Sequence, residues 1–179
     1  MLGTTYNYAQ LAKNLVNGER PAGASAWRGF VAGAIGGLIG TAVKSLAEQY
    51  FPPRPPQADA PPVKLGDEVK EATTGEHLTE AEKPVVEQST HWLFGTLVGG
   101  AYGAAVEYVP QLQEGMGVPF GTAVFGLMHE GVLPAMGVEE PHAEKDPTEE
   151  RNEMITHLAY GFVTEVVRAQ VRKAEASAA

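Results

Sequence analysis

The chain has 179 residues, with 13 Lys and Arg against 22 Asp and Glu, so its formal net charge is −9. This acidic balance argues against a nucleic-acid partner held by phosphate neutralisation. The absence of cysteine excludes disulfides, thiolate metal sites and cysteine nucleophiles.

Charge is segregated along the chain, although the mean hydropathy is only −0.15. Acidic residues concentrate in 57–88 and 139–153, and four other segments are nearly free of charge. About 20 apolar residues at 1.5 Å rise are needed to cross a hydrocarbon core of ~30 Å. The segments approach this length when end residues such as Lys44 extend to the interface. We therefore predict an all-α fold, a polytopic four-helix transmembrane bundle with the lipid bilayer as its main partner.

The predicted elements alternate between helices and connections. A cytoplasmic N-terminal segment (1–26) precedes the first helix (27–51), and a long acidic, proline-rich outer loop (52–89) leads to the second helix (90–109). A tight inner turn (110–115), the third helix (116–138), an acidic outer loop (139–152), the fourth helix (153–173) and a C-terminal tail (174–179) follow. In the first outer loop, the sequence FPPRPP predicts an extended, stiff segment, and a short acidic helix is expected after Leu78.

Glycines recur at three- and four-residue spacing in the first two predicted helices. In water each one would weaken a helix by about 1 kcal/mol relative to alanine. In lipid, small residues at this spacing let two helix backbones approach closely. The pattern therefore favours a membrane, and it predicts helix packing, with a homo-oligomer as one form of it, through Gly33, Gly37, Gly40, Gly99 and Gly103.

Basic residues mark the predicted cytoplasmic side. Lys13, Arg20 and Arg28 lie before or at the start of the first predicted helix, and Arg168, Arg172 and Lys173 close the fourth, whereas both outer loops are acidic. Lys and Arg near membrane spans favour the cytoplasmic side. We expect both termini to be cytoplasmic, which requires an even number of crossings.

Residues in and next to the four predicted helices also carry a family resemblance. They are Lys44, Glu48, Pro52, Pro53 and Arg54; His91, Tyr102, Glu107 and Pro110; His129, Pro134, Met136 and Gly137; and His157, Leu158, Glu165, Arg168 and Arg172. At these spacings the chain resembles the YagU-like inner-membrane proteins of bacteria, a family of unknown function linked through one member to acid resistance. The resemblance implies a bacterial inner (plasma) membrane protein that contributes to acid tolerance. It does not extend to the acidic first loop or to Glu130, where the chain departs from the family pattern.

Three histidines are predicted to meet in the outer half of the bundle. His91 and His157 begin the second and fourth helices, and His129 lies about 18 Å along the ascending third helix. Glu48 ends the first helix at a similar level, and Glu130 follows His129. Ionisable groups in lipid must face each other or water, so these residues are candidates for pH sensing or for passing protons or a small solute.

A second set of charged residues lies deeper or near the inner face. Glu165 is placed about 12 Å below His157, and we count it with the polar intramembrane residues. Its expected partner is Arg168, one turn away, or Lys44 across the bundle. Lys44, Glu107 and Arg168 are predicted to form structural ion pairs that set helix register, with a proton path towards the inner face as the functional alternative.

Several other functions remain open at this point. Imidazoles bind zinc, iron and manganese, so His91, His129 and His157 are also candidate metal ligands, although HExxH and paired ExxH motifs are absent. Otherwise no cofactor is expected, and each histidine alone also fits a helix cap. No strained nucleophile turn or phosphate loop is present, so we do not expect an enzyme. The alternatives are a membrane scaffold that dimerises through its glycines, and a soluble helical bundle.

Overall fold

The computed structural model describes residues 23–141 and 144–178, and every regular element in this part of the chain is helical. The prediction of an all-α fold is confirmed. Five helices of appreciable length occur among the described residues: α1 (Ala26–Ala47), α2 (Pro61–Thr74), α3 (Lys83–Val106), α4 (Val118–Leu127) and α5 (Pro147–Ala178). Most of the predicted N-terminal segment, 1–26, lies outside the described residues.

The helix ends follow from local residue chemistry. The Ser25 side chain accepts a hydrogen bond from the Arg28 amide and caps α1. Prolines stand in the first turns of α2 and α3, where their missing amide hydrogen is not needed. Gly75 ends α2 at φ 75°, a left-handed conformation that glycine adopts readily.

The helix bounds differ from the predicted ones at several places. The first outer loop contains α2, which lies before Leu78 and not after it, because Pro61 and Pro62 suit the first turn of a helix. Helix α3 begins at Lys83 and α5 at Pro147, both earlier than predicted. The first turns of both helices contain polar residues. A prediction based on the length of apolar segments therefore placed the starts of these helices too late in the sequence.

Helix α4 continues through a π-helical turn, Met128–Val132, into the short helix Leu133–Ala135. Pro134 has no amide hydrogen to donate to the carbonyl of Glu130, so the regular helical hydrogen bonding is interrupted there. A π turn rotates the side chains that follow its start, and such turns are frequent at functional sites. In this chain the turn contains His129, which is buried.

Helix α1 is central and packs against α3 on one side and α5 on the other, while α4 packs against α5 and α2 lies on α3. Tyr102 on α3 stacks on Phe120 of α4, with ring centroids 4.0 Å apart. Helix α1 is antiparallel to α3 and to α5, because Gly33 and Gly37 face Gly103 and Gly95, and Gly36 and Lys44 face Thr164 and Glu153. Helix α4 is antiparallel to α5, because Gly117 and Gly121 face Gly161 and His157, so the four long helical segments alternate in direction. The end of the bundle where α1 ends and α5 begins is called the histidine end below, and the opposite end is called the arginine end.

The predicted packing glycines lie at helix contacts within the chain. A Cβ at Gly33 would lie 2.8 Å from Gly103 Cα, and one at Gly99 would lie 2.7 Å from Gly37 Cα, so the backbones of α1 and α3 touch. A Cβ at Gly40 would lie 2.9 Å from the Tyr160 carbonyl oxygen of α5. These faces are therefore covered by the chain itself, and a homo-oligomer, which stays a prediction, would need another surface.

Within the described residues, α1 alone has both the length and the apolar composition of a membrane span, with a mean hydropathy of 1.6. About two fifths of that stretch, 39%, is buried inside the protein. By itself this is weak evidence, because the core helix of a soluble protein has similar properties.

Candidate functional site

Lys44 stands at the centre of the charged groups at the histidine end. Its Nζ atom donates a hydrogen bond to Glu153 Oε1 at 2.9 Å and another to Glu48, one turn further along α1. Lys44 and Glu153 are both buried. Because a buried charge is costly unless it is paired, this ammonium group lies where it can satisfy two carboxylates from two helices.

The π turn of α4 brings His129 against Glu153. The Nδ1 atom of His129 lies 2.9 Å from Glu139 Oε2, and its Nε2 atom lies 3.6 Å from Glu153 Oε1. A carboxylate can only accept a hydrogen bond, so Nδ1 carries a proton and donates it to Glu139. Glu139 thereby orients the imidazole so that Nε2 faces the interior.

His157 follows Glu153 by one turn of α5. Its Nδ1 atom lies 2.9 Å from the backbone oxygen of Glu153 and 3.2 Å from Oε1 of the same residue. Since a carbonyl oxygen also only accepts, Nδ1 is the protonated nitrogen in this contact. The rings of His129 and His157 are 4.9 Å apart at an angle of 73°, and the Phe125 ring packs against both.

His91 joins these residues across a cavity of about 250 Å³. The cavity is lined by all three predicted histidines and by Lys44 and Glu153. These five residues, His91, His129, His157, Lys44 and Glu153, are called the histidine cluster below. Pro61, Pro62 and Leu65 of α2 cover the other side of the cavity. The long first loop thus returns to form a roof over the cluster.

An acidic cleft of about 410 Å³ lies beside this cavity. Glu153 lines both spaces. The carboxylates of the cleft outnumber its three basic side chains, Arg54, Lys64 and Lys145; they belong to Asp59, Glu139, Glu140, Glu144, Asp146, Glu149, Glu150 and Glu153. A concave surface with an excess of one charge raises the local concentration of the opposite ion. The cleft therefore favours cations near Glu153.

The two predicted carboxylate residues Glu48 and Glu130 differ in their distance from the histidine cluster. Glu48 is half-buried and pairs with Lys44, at the edge of the histidine cluster. Glu130 is exposed on the π turn and lies 3.4 Å from Lys145 Nζ. The structure therefore brings Glu48 to the cluster and leaves Glu130 at the surface.

Glu165 lies towards the arginine end, away from the histidines. Arg168 donates to both of its carboxylate oxygens, at 2.6 and 2.8 Å, and Tyr102 Oη donates to Oε2 at 2.9 Å. Of the two predicted partners of Glu165, the structure shows Arg168; Lys44 is at the other end of the bundle. This buried network ties α5 to α3 and sets helix register.

Glu107 ends α3 and pairs with a residue that sequence reasoning did not consider as its partner. Arg172 Nε donates to Glu107 Oε1 at 2.7 Å and Nη2 donates to Oε2 at 2.9 Å. The Ser25 amide also donates to Glu107 Oε2 at 2.9 Å. One carboxylate therefore joins the start of α1, the end of α3 and the last turns of α5.

Sequence reasoning missed Glu153, Glu139 and Lys145, which surround His129. The four-residue spacing of Glu153 and His157 could have indicated Glu153, because residues i and i+4 share one face of a helix. No comparable signal exists for Glu139 and Lys145, which reach His129 from the loop before α5.

A family model with the description "Protein of unknown function (DUF1440)" matches residues 38–166. This range includes every residue of the histidine cluster. No curated protein and no solved structure matches the chain. The narrower resemblance to YagU-like proteins, which rests on no named relative, stays a prediction.

Proposed function

The chain belongs to this DUF1440 family of unknown function, and we propose that it is a polytopic helical membrane protein that binds a small cation in its histidine cluster. The observation that carries the proposal is that charged side chains are buried inside the protein while large apolar side chains are exposed on its surface. Lys44 and Arg168 are 5% and 4% exposed, whereas Leu93 and Leu127 are 62% and 65% exposed. Both buried charges are paired with carboxylates inside the bundle, so they do not face the surroundings, and large apolar groups on the outside suit a lipid environment.

The outward apolar side chains occur on all four long helical segments: Ile35, Leu38, Ile39 and Leu46 on α1, Leu93, Phe94 and Leu97 on α3, Leu127 on α4 and Phe162 on α5. Helices α3 and α5 would be about 36 and 48 Å long at 1.5 Å per residue, and the helical run 118–135 about 27 Å. These lengths suit a ~30 Å hydrocarbon core. The distribution supports a bundle of four spans.

The ionisable residues of α5 explain why composition alone does not select this helix as a span. Glu153, Glu165 and Arg168 lower its mean hydropathy, but all three are buried and paired inside the bundle. Their charge does not face the surroundings of the protein. A count of charges along a helix therefore underestimates how apolar its outer face is.

The placement of basic residues supports an orientation for the proposed bundle. Arg28, Arg172 and Lys173 lie at or near the arginine end, whereas basic residues in the loops of the histidine end, such as Arg54, Lys70 and Lys145, pair with carboxylates there. We propose on this basis that the arginine end and both termini are cytoplasmic, in a bacterial inner membrane. The histidine cluster would then lie in the outer half of the membrane, next to the acidic cleft.

The charges of the site favour a cation over an anion. Lys44 is the central positive charge, and it is surrounded by the carboxylates of Glu48, Glu153 and, beyond His129, Glu139. Lys145 lies 3.6 Å from Glu139 and offsets that carboxylate, so with neutral imidazoles Glu48 and Glu153 together exceed the single charge of Lys44. An ionisable group held inside a membrane bundle is by default a functional candidate, and a small cation would offset the excess negative charge.

A role in acid tolerance is a narrower hypothesis that stays a prediction, because membership of an uncharacterised family adds no support for it. Survival in acid that does not change when His91, His129 and His157 are all replaced would count against that role. The scaffold alternative loses one of its supports, since the glycine faces are already covered within the chain.

The proposal is tested in two steps on the full chain. Alkaline carbonate should leave the protein in the membrane fraction, and release without detergent would contradict the proposal. The detergent-solubilised protein is then heated with K⁺, Mg²⁺, Ca²⁺, Mn²⁺ or Zn²⁺ in turn. A bound cation at 100 times its Kd stabilises the folded state by about 2.7 kcal/mol.

We therefore expect the thermal midpoint to rise with at least one cation in the wild-type protein and to rise less in Glu153→Gln. Glu80→Gln is the matched control, because Glu80 is an exposed carboxylate outside both cavities. A midpoint that responds to none of the cations would contradict cation binding.

A further inference from the structure

We propose that His129, Glu153 and His157 form a binding site for one divalent transition-metal ion of the zinc class. This inference rests on the proposed function and names the cation. Each of the three residues is buried and offers one ligand atom, and these atoms lie within 4.8 Å of one another. Two imidazoles and one carboxylate are a donor set that zinc accepts while leaving a position open for water or another ligand.

The protonation pattern of the imidazoles suits a metal. Nδ1 of His129 donates to Glu139 and Nδ1 of His157 donates to a backbone carbonyl, so each ring keeps Nε2 available as a lone-pair donor. Metal-binding histidines almost always donate their other nitrogen to a carboxylate, a carbonyl or water in this way. Glu139 therefore has the position of an orienting residue, while His129 is the ligand.

The three ligand residues lie near one another but have to close around a metal ion. In a tetrahedral site, two atoms that each lie about 2.1 Å from the ion are about 3.4 Å apart. One ligand atom from each residue lies within 4.8 Å of the others, so the widest separation has to contract by up to about 1.4 Å, which rotation of the side chains would supply.

Lys44 is the group with which a metal must compete. Its Nζ atom donates to the Oε1 atom of Glu153, and it also holds Glu48. A metal that takes Glu153 would leave Lys44 its partner on α1, so the ammonium group would not be stranded. The acidic cleft, which reaches Glu153 from the other side, offers the cation a route of entry.

The donor atoms select the class of metal. Mg²⁺ and Ca²⁺ prefer shells of oxygen ligands, whereas imidazole nitrogen suits zinc, iron, nickel, copper and cobalt. Two of the three ligands in this site are imidazoles. We therefore infer binding of a transition metal in preference to Mg²⁺ or Ca²⁺.

The test uses the wild-type full chain in detergent, stripped with a chelator and titrated with Co²⁺. We expect visible d–d absorption bands that saturate at one Co²⁺ per chain, survive excess Mg²⁺ and disappear when Zn²⁺ is added. Wild-type protein that shows no saturable Co²⁺ spectrum, or one abolished by Mg²⁺, would overturn the inference. This measurement does not depend on whether any variant folds.

The variants then identify the ligands. His129→Gln, Glu153→Gln and His157→Gln should abolish the spectrum, and Glu139→Gln should weaken binding by about 10- to 100-fold. His77→Gln is the control, since His77 is exposed near the end of α2. The sequence-based metal hypothesis contains His91 in place of Glu153. Loss of Co²⁺ in His91→Gln, with binding kept in Glu153→Gln, would overturn the present assignment.

The outcomes for the metal and for the proposed function can be told apart. A membrane-integrated protein stabilised by Ca²⁺ or K⁺ but giving no Co²⁺ spectrum overturns only the metal inference. A protein that binds Co²⁺ but is released by alkaline carbonate supports the metal site and contradicts the membrane proposal.

Discussion

At the scale of single residues, glycine acts in this chain as a contact surface. Gly33 and Gly37 of α1 meet Gly99 and Gly103 of α3 so closely that backbone atoms of one helix occupy the space where the other would carry a Cβ. Close approach increases dispersion contacts between backbones, which matters in lipid because apolar side chains gain little there by leaving the solvent. Lys44 lies about two turns beyond Gly37 on the same helix, at the histidine end.

A single added methyl group should therefore separate α1 from α3. In Gly33→Ala the new Cβ would lie 2.8 Å from Gly103 Cα, and overpacking of this kind costs on the order of 1–3 kcal/mol. We expect the free energy of unfolding, measured by SDS titration in detergent micelles, to fall by this amount. Gly126→Ala is the matched control, because a Cβ at Gly126 meets nothing within 4 Å. Equal stability of the two variants would contradict the tight packing of α1 on α3.

At the scale of elements, α2 covers one side of the cavity and is held there by a few polar contacts, which are called the latch below. Asp67 accepts a hydrogen bond from the Leu78 amide at 2.6 Å and contacts His77 Nδ1 at 2.8 Å. Lys70 also donates to Glu82 Oε2 at 2.9 Å, just before α3. These contacts lie outside the helices proposed to span the membrane, so water and pH act on them directly.

The latch should depend on pH in a defined direction. The Leu78 amide, together with His77, lowers the pKa of Asp67, and the hydrogen bond with Asp67, helped by the charges of Asp67 and Glu71, raises the pKa of His77. The contribution of His77 is complete below its ordinary pKa of about 6.5 and is lost as pH rises through the raised value; that of Asp67 is complete above about 3.9 and is lost as pH falls through the lowered value.

We therefore expect α2 to be held most firmly between about pH 4 and 6.5. Hydrogen exchange should show greater protection of the Leu78 amide at pH 5.5 than at pH 8.5, after correction for the intrinsic exchange rate. Asp67→Asn should remove this difference, and Glu68→Gln, on the exposed side of the same helix, should keep it. A pH difference that persists in Asp67→Asn would exclude the latch as its cause.

At the scale of the whole molecule, charged groups are sorted to the two ends of the bundle. The histidine end holds Lys44 and Glu153, and the arginine end holds Arg172 and Glu107. Between them the contacts of α1 with α3 are made largely by glycine, and the outward side chains are apolar. This order of polar, apolar and polar layers matches the profile of a bilayer.

The proposed orientation can be measured directly because the chain has no cysteine of its own. Glu76→Cys lies between α2 and α3, and Ser177→Cys lies near the end of α5; both positions are exposed. A membrane-impermeant maleimide should label Glu76→Cys in cells with a permeabilised outer membrane, and should label Ser177→Cys only after the inner membrane is opened. Labelling of both positions from the same side would contradict the four-span topology.

The sequence by itself determined that the protein is helical and where its charges and small residues are concentrated. Helix caps, glycine spacing and the separation of charged from uncharged segments act over a few residues, so they can be read along the chain. Since α1, α3, α4 and α5 alternate in direction, helix length also predicted that His91, His129 and His157 lie at a similar level.

Only the tertiary structure decided which charged groups meet. Lys44 and Glu153 are far apart in sequence, and their contact depends on how α1 packs against α5. His129 lies in the π turn and faces Glu153 across the bundle, and Glu139 reaches it from a loop. Such contacts depend on the packing of distant segments, whose free energy is distributed over the whole interface and leaves no local pattern in the sequence.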